Sequence, residues 1–323
     1  MTRAVVFGYH NVGVRCLKVL LAHGVDVPLV VTHDDSPGET IWFGSVAHTA
    51  ADYGIRTIAP EDPNATDVIA SVGAGRPDFI FSFYYRRMLA PALLALAPLG
   101  ALNMHGSLLP KYRGRAPVNW AIIHGETETG ATLHYMADKP DNGDIVAQTG
   151  VPILPDDVAG DVFAKVTVAA EMTLDRALPG LLAGTAPRMR QDPGKASYFG
   201  GRKPEDGVID WAQSSIAIHN LVRAVAPPYP GARTLIDGHP ARLLRTRVLD
   251  TTAPAGIAPA FDVADGRITV RCGGGGILQV LELEIDDAIV GPAAFAHWRA
   301  AHAPADPGRI GAQEPAAPPD RND

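Results

Sequence analysis

Short apolar runs alternate with helical patterns through the first half of the chain, and this alternation restricts the fold more than any other property. Arg3–Phe7 (RAVVF) reads as a buried strand, followed by a turn at Gly8–Gly13 and a helical pattern over Val14–His23. Val27–Thr32, Asp78–Ser82 and Ala101–His105 read as further strands, and Trp42–Tyr53, Ala65–Ala74 and Ala90–Ala97 as helices. Apolar strands joined through helices predict an α/β unit with a mostly parallel sheet, because the crossovers lay helices over both faces. Ala131–Met136 and Ile145–Ile153 continue the sheet. Val158–Ala183 is one long helix ending at Gly184, with Asp156 or Asp157 as its cap.

The pattern changes near residue 190. Arg190–Pro204 is rich in Gly, Pro and Lys and reads as a linker. Beyond it, Ser214–Ala224 is helical, and the short runs Arg233–Ile236, Ala241–Leu249, Arg267–Arg271 and Ile277–Glu284 are separated by DGHP, TTAPAG, ADG and CGGGG. Short strands with turn signals at this spacing predict a small barrel or sandwich. The expected organisation is a catalytic domain over residues 1–189, a linker over 190–204, a β domain over 205–302 and a disordered tail over 303–323.

Composition narrows the function classes. Of 323 residues, 46% are hydrophobic and 20% charged, as expected of an ordinary soluble globular chain. A net charge of −7 argues against a surface built throughout to grip a phosphate backbone. Two unpaired cysteines, Cys16 and Cys272, predict a reducing, cytoplasmic setting and neither a disulfide framework nor a Cys-based zinc site. The start lacks the apolar run and small-residue cleavage site of a signal peptide. The longest apolar stretch, Met88–Leu102, is broken by Pro91 and Pro98, so no membrane span is expected. The eleven histidines form no HExxH and no Cys/His cluster of ligand spacing, so no metal is expected.

Three segments carry chemistry. In Ala101–Pro110 (ALNMHGSLLP), Asn103 and His105 sit two apart in a strand, which places both on one face near its carboxyl end, where α/β sheets bind ligands. A side-chain amide and an imidazole there can both donate to one developing oxyanion. Gly106–Pro117 (GSLLPKYRGRAP) carries Lys111, Arg113 and Arg115 and reads as an irregular basic loop suited to an anionic ligand. Asp141 lies in Asp138–Asp144 (DKPDNGD); a carboxylate reaching His105 would orient it and raise its pKa, and Asp138 and Asp144 compete for that role. Weaker signals are the Gly8–Gly13 turn, whose Tyr9, His10 and Asn11 precede a helix as in an anion site without GxGxxG or P-loop spacing, and the aromatic run Phe81–Tyr85 followed by Arg86 and Arg87.

Taken together, Asn103-Met104-His105, the following Gly106–Pro117 and Asp141 resemble the signature of the 10-formyltetrahydrofolate-dependent formyltransferases. Phe81–Arg86 (FSFYYR), Gly125–Gly130 (GETETG), Asp141–Gln148 and Val222–Ala232 (VRAVAPPYPGA) are similar to the formyltransferase domain of the bifunctional polymyxin-resistance protein ArnA. The likeness is clear over about residues 3–250 and looser over 251–302. It implies a Rossmann-like catalytic domain and a smaller C-terminal OB-like β-barrel domain. It also implies formyl transfer from 10-formyltetrahydrofolate to a nucleotide-linked amino sugar, in the ArnA-like case UDP-4-amino-4-deoxy-L-arabinose of lipid A modification. By motif match, protonated His105 would be general acid and oxyanion donor, Asn103 the second donor and Asp141 the tuning partner. Folate contacts would fall on Arg87, Met88, Leu89, Arg115, Ala137, Asp138, Lys139, Pro140 and Asp141. A diphosphate would be sought at the Tyr9–Asn11 turn or at Lys111, Tyr112 and Arg113. The second, decarboxylase domain of ArnA needs about 300 further residues, so decarboxylation is expected from a separate partner chain.

Other readings are a methionyl-tRNA formyltransferase, a formyltetrahydrofolate hydrolase and a non-catalytic folate-binding module. The segment after the second strand, Thr32–His48, has no Lys or Arg and carries Asp34, Asp35 and Glu39, which opposes tRNA. An oxyanion site has no use in a simple binder, which opposes the third.

Overall fold

The structure, a computed structural model, describes residues 1–36, 40–137 and 139–302, and structural statements below concern these residues. Asp138, part of the 32–48 segment and the tail expected over 303–323 lie outside them. The chain forms two compact units. The first takes residues 1–118, 128–153 and 162–201; the second takes 119–127, 154–161 and the residues from 202 on.

In the first unit, β1 (Arg3–Gly8) leads through α1 (His10–Ala22) to β2 (Asp26–Val31), and through α2 (Val46–Asp52) to β3 (Thr57–Ile58). After α3 (Thr66–Ala74) come β4 (Phe79–Phe83), α4 (Pro91–Leu94) and β5 (Gly100–His105). The chain continues with β6 (Arg113–Gly114), α5 (Pro117–Ile123), which from residue 119 counts with the second unit, then β7 (Glu128–Tyr135), β8 (Ile145–Pro152), α6 (Ala159–Leu182) and β9 (Tyr198–Phe199). The main sheet runs β3-β2-β1-β4-β5-β7-β8. Its first five strands are parallel, and β7 and β8 are antiparallel additions. The expected sheet is therefore present with a mixed edge. Val5, Phe7, Leu29, Val31, Ile80 and Ala101 pack with Val68 and Val72 of α3 and Leu93 of α4 into a core on one face. Strand order reverses between β1 and β4, and a crevice outside the carboxyl ends at such a switch point is the usual ligand site of open α/β sheets.

The stretch expected as a linker is part of this unit as far as residue 201. Met189 bridges Ile145 at the start of β8, and β9 pairs in parallel with β6. The basic loop 106–117, expected to lack regular structure, thus holds a two-residue strand, and Pro117 opens α5 at a position where its missing N–H costs nothing. Gly114 has φ +96, and a Cβ there would sit on the Phe199 carbonyl oxygen, so the β6–β9 contact needs glycine.

In the second unit, α7 (Ser215–Val225) is capped by Ser214, whose hydroxyl accepts from the Ala217 amide. It packs on β10 (Ala232–Ile236), β11 (His239–Asp250) and β14 (Ile277–Ile285); β12 (Ala260–Ala264), β13 (Arg267–Arg271) and β15 (Ala288–Ile289) complete the sheet, and α8 (Pro292–His302) lies against β12 and β13. The antiparallel order β10-β11-β14-β13-β12, with β15 on β14, is the expected small β domain. Its hairpins turn through Asp237-Gly238, Asp265-Gly266 and Asp286-Asp287, each pair with both φ positive, the backbone that two-residue hairpins demand. Trp211, Phe261 and Phe295 anchor its core. The sequence reading omits β12 and α8 because each has one buried residue, Phe261 and Phe295 respectively, and so no periodic apolar face.

Candidate active site

The antiparallel register of β5 and β7 places Asn103 opposite His134 and His105 opposite Thr132. Four polar side chains thus share a patch at the carboxyl end of β5. Asp141, held with φ +52 in the turn between β7 and β8, reaches into it. Its Oδ1 lies 3.5 Å from His105 Nδ1 and 3.5 Å from His134 Nε2, and accepts at 3.4 Å from Asn103 Nδ2. Its Oδ2 accepts from the Gly114 amide at 2.8 Å. Asn103 Nδ2 also lies 3.2 Å from His134 Nε2. Asn103, His105 and Asp141, singled out from sequence, therefore meet at one point, and Asp141 takes the place for which Asp138 and Asp144 also competed.

His134 belongs to the same patch and was read only as strand. Its Nδ1 faces the Tyr135 carbonyl at 2.8 Å and so carries the hydrogen, which turns Nε2 toward Asn103 and Asp141. Thr132 braces the loop that follows β5. Its hydroxyl donates to the Ser107 carbonyl at 2.6 Å and accepts from the Leu109 amide at 3.1 Å and from Gln148 Nε2 at 2.8 Å. Gly106, where that loop begins, faces the Tyr84 hydroxyl so closely that any Cβ would overlap it.

The electrostatics differ from the expectation for His105. The ring is buried, and its Nε2 faces the Tyr112 carbonyl at 2.7 Å, so that nitrogen carries a hydrogen and donates. Burial pushes its pKa below the ordinary imidazole range; the Asp141 charge and the Tyr112 carbonyl pull upward without overcoming it. The resting ring is thus neutral, where a charged one was expected. Burial alone would raise Asp141, but its coupling to a proton on His105, the contacts to His134 and the Gly114 amide together hold its carboxyl well below the usual carboxylate range. A carboxylate facing an unprotonated Nδ1 across 3.5 Å leaves one vacancy for a proton, shared by the pair.

The other anticipated positions fall in distinct places. Tyr9, His10 and Asn11 follow β1, with α1 starting at His10 and not at Val14. Tyr9 donates its hydroxyl to Asp35 at 2.7 Å, His10 stacks on Phe43 with centroids 3.8 Å apart, and Asn11 Oδ1 accepts from the Gly44 amide at 2.7 Å. These side chains are engaged by Asp35, Phe43 and Gly44. Tyr112 is buried against Phe199, and Arg113 donates through Nε and Nη2 to Gln191 Oε1. Lys111, Arg115, Ala137, Lys139 and Pro140 are exposed, and Asp138 lies outside the described residues.

The loop after β4 is clamped from three sides. His33 stacks on Tyr85 at 4.1 Å and its Nε2 accepts from the Arg86 amide at 3.0 Å; burial, with Arg87 and Arg86 nearby, lowers this imidazole to about 4, so the lone pair is available at neutral pH. Arg87 donates to the Pro60 carbonyl at 3.1 Å. Asn64 uses both ends of its amide, donating to the Met88 carbonyl at 3.0 Å and accepting from the Ala90 amide at 2.7 Å. Leu89 is thereby fixed in the core and Met88 stands 61% exposed.

Residues 5–178 match the Formyl transferase family, and residues 202–297 match the Formyl transferase C-terminal domain. The chain belongs to the formyl transferase family. It is a formyltransferase, an enzyme. Solved structures share its fold. An N-formyltransferase from Helicobacter canadensis, in complex with folinic acid and dTDP-3-aminofucose, superposes with a TM-score of 0.68 at 21% identity, over 87% of this chain and 99% of that one. WlaRD, a sugar 3N-formyl transferase studied with dTDP and 5-N-formyl-THF, gives 0.67 at 19% identity, over 89% and 98%. HypX from Aquifex aeolicus, in complex with tetrahydrofolic acid, gives 0.60 at 16% identity, over 93% of this chain and 47% of HypX. No described helix of the enzyme is long and apolar enough to cross a membrane, and no group of His, Cys, Asp and Glu among the described residues is placed to hold a metal ion.

Proposed function

We propose that this enzyme transfers the formyl group of 10-formyltetrahydrofolate to the amine of a nucleotide-linked amino sugar, and that its acceptor is UDP-4-amino-4-deoxy-L-arabinose. The observation that carries the reading is the convergence of Asn103, His105 and Asp141 at one point by the carboxyl end of β5. The ligands named for the Helicobacter canadensis enzyme and WlaRD support the class of both substrates, and the ArnA-like segments support the particular sugar.

The formyl donor supplies an amide-like carbonyl carbon to which the acceptor amine adds, after which the carbon–nitrogen bond to the folate breaks. The protein's part is charge and proton management. Asn103 Nδ2 turns a hydrogen from its long contacts at 3.2 and 3.4 Å to the carbonyl oxygen as negative charge develops there. His105, neutral at rest, takes the proton that the attacking nitrogen sheds, and Asp141 stabilises the imidazolium so formed. The same proton is returned to the departing folate nitrogen, so the site ends as it began. No covalent enzyme intermediate and no metal enter this scheme.

The donor loop suits a flat heteroaromatic with polar edges. Tyr85 offers a buried hydroxyl without a hydrogen-bond partner, and Met88 an exposed thioether beside Arg87. Arg115, Ala137, Asp138, Lys139 and Pro140 complete the proposed folate contacts, and Lys111 and Arg115 offer cations to a diphosphate.

The test is to incubate the enzyme with 10-formyltetrahydrofolate and, separately, UDP-4-amino-4-deoxy-L-arabinose, a dTDP-linked 3-amino sugar and charged initiator tRNA. Tetrahydrofolate release and product mass are followed. The expected result is formylation of the UDP sugar. Turnover only on the dTDP sugar would move the acceptor within the class; turnover on tRNA alone, or on none, would overturn the reading.

A further inference from the structure

Gln191 lies in the stretch whose composition suggests a mere linker, yet it is buried and fully bonded. Its Nε2 donates to the Asp141 carbonyl at 2.8 Å and to the Gly143 carbonyl at 2.7 Å. Its Oε1 accepts from Arg113 twice, at 3.2 Å from Nε and 2.7 Å from Nη2. A glutamine amide has two donor hydrogens and two acceptor lone pairs, and here all four are used. The orientation is unambiguous, because a flipped amide would aim its oxygen at two carbonyls and its hydrogens at a guanidinium.

The position follows from the fold. Met189 and Ile145 exchange backbone hydrogen bonds of 2.8 and 2.9 Å, which lays the 189–191 strand-like stretch along the start of β8. Two residues on, Gln191 arrives beside the 141–143 turn. That turn has an intrinsic cost: Asp141 has φ +52, a conformation that an L-residue adopts only when its surroundings enforce it. Gly143 sits so near the Tyr135 carbonyl that no side chain fits there. Neither constraint holds the Asp141 peptide at its particular angle; the two amide hydrogens of Gln191 do.

We infer that Gln191 is a positioning residue for catalysis: it holds the Asp141 turn so that the carboxylate faces His105, and it ties that turn to Arg113 of the basic loop. The inference rests on the proposed roles of Asp141 and His105. Gln191 touches no substrate. Its removal leaves both carbonyls buried without donors, and the turn relaxes toward ordinary backbone angles, carrying the carboxylate away from His105.

Gln191→Met keeps volume and removes every hydrogen bond. The expected result is a folded protein with kcat lower by roughly 10- to 100-fold, the scale of a small misplacement of a catalytic group, and both KM values within about threefold. Independently of turnover, the His105 imidazole is titrated by NMR in wild type and variant, its signal assigned by loss in His105→Asn. Because Asp141 pulls that pKa upward, the variant should titrate lower than wild type. A His105 titration equal to wild type overturns the inference, as does a rise in KM with unchanged kcat. If Gln191→Met does not fold, Gln191→Asn, which withdraws the amide by one methylene, is read in the same way. Should the enzyme prove inactive on every nucleotide sugar, the proposed function fails while the titration still decides the role of Gln191.

Discussion

Two buried histidines, one in each unit, face opposite kinds of partner. His219 of α7 has both ring nitrogens bonded to neutral groups: Nδ1 pairs with the Thr246 hydroxyl at 2.9 Å, and Nε2 donates to the Pro155 carbonyl at 2.9 Å. Beside it, Arg223 donates to Asn220 and to the carbonyls of Leu154 and Asp157. The bonds named here all go to uncharged partners. His105 has one tight neutral bond, to Tyr112, and one slack contact, 3.5 Å to a carboxylate. Burial depresses both imidazoles. The difference lies in what opposes it: chiefly a backbone carbonyl at His219, a full negative charge at His105. Saturation with neutral partners makes a histidine structural, and a slack contact to an anion makes it able to change state.

The sharpest way to break this contrast is to remove the anion. Asp141→Asn keeps an oxygen for the Gly114 amide and cancels the charge. Breaking a buried ion pair is usually severe because it strands a charge, but His105 is neutral at rest and none is stranded. Stability should therefore hold to within a few degrees of melting temperature, while kcat falls roughly 100- to 10,000-fold, the range of general acid–base catalysis. Steady-state kinetics beside a thermal melt decide it. Wild-type turnover in Asp141→Asn would remove His105 and Asp141 from the chemistry and leave the two histidines alike.

The sequence carried the catalytic side of this contrast further than its supports. Asn103 and His105 stand out because two polar residues at period two interrupt an apolar strand, and the carboxyl end of a sheet is where such an interruption has a use. Asp141 was legible as a turn residue, but its preference over Asp138 and Asp144 came from family resemblance, since no spacing rule says which carboxylate of an irregular loop points inward. His134 needed the register of β5 against β7, which no single strand reveals. Gln191 was hidden by composition: a Gly-, Pro- and Lys-rich stretch reads as a connector, although one buried amide in it organises the turn. The upward pull of Asp141 on His105 was readable from the neighbouring acid, and the burial that opposes it was not. In the second unit the β10–β11 hairpin was plain from Asp237-Gly238, and His219 was invisible as anything but one position of an amphipathic helix.

The structural histidine should show itself through acid. A ring kept neutral by burial has a folded pKa below its unfolded value, near 6.5. Below that pH the unfolded chain takes up a proton that the folded one refuses, so stability falls as pH drops from about 6.5 toward the depressed folded value. His219→Leu removes this difference. Its unfolding free energy, followed by denaturant titration from pH 7 to pH 5, should be lower than wild type at neutral pH and decline less steeply with acid, with kcat unchanged. An acid limb as steep as that of wild type would assign the sensitivity to other groups.

The smallest effect gives the finest discrimination. Thr246→Val is nearly isosteric and removes one neutral partner of His219, the counterpart of removing Asp141 from His105. It leaves a buried ring nitrogen unpaired, at a cost of about 1–3 kcal/mol. The Pro155 carbonyl still anchors Nε2, so the ring keeps its place and the rest of α7 its packing. Turnover should match wild type, because nothing that titrates during catalysis has changed. The paired substitutions then separate the two kinds of site: one loses activity and keeps stability, the other the reverse. A Thr246→Val protein that lost turnover without losing stability would show that a tight neutral hydrogen bond can also serve catalysis, and the distinction between slack and saturated histidines would fall with it.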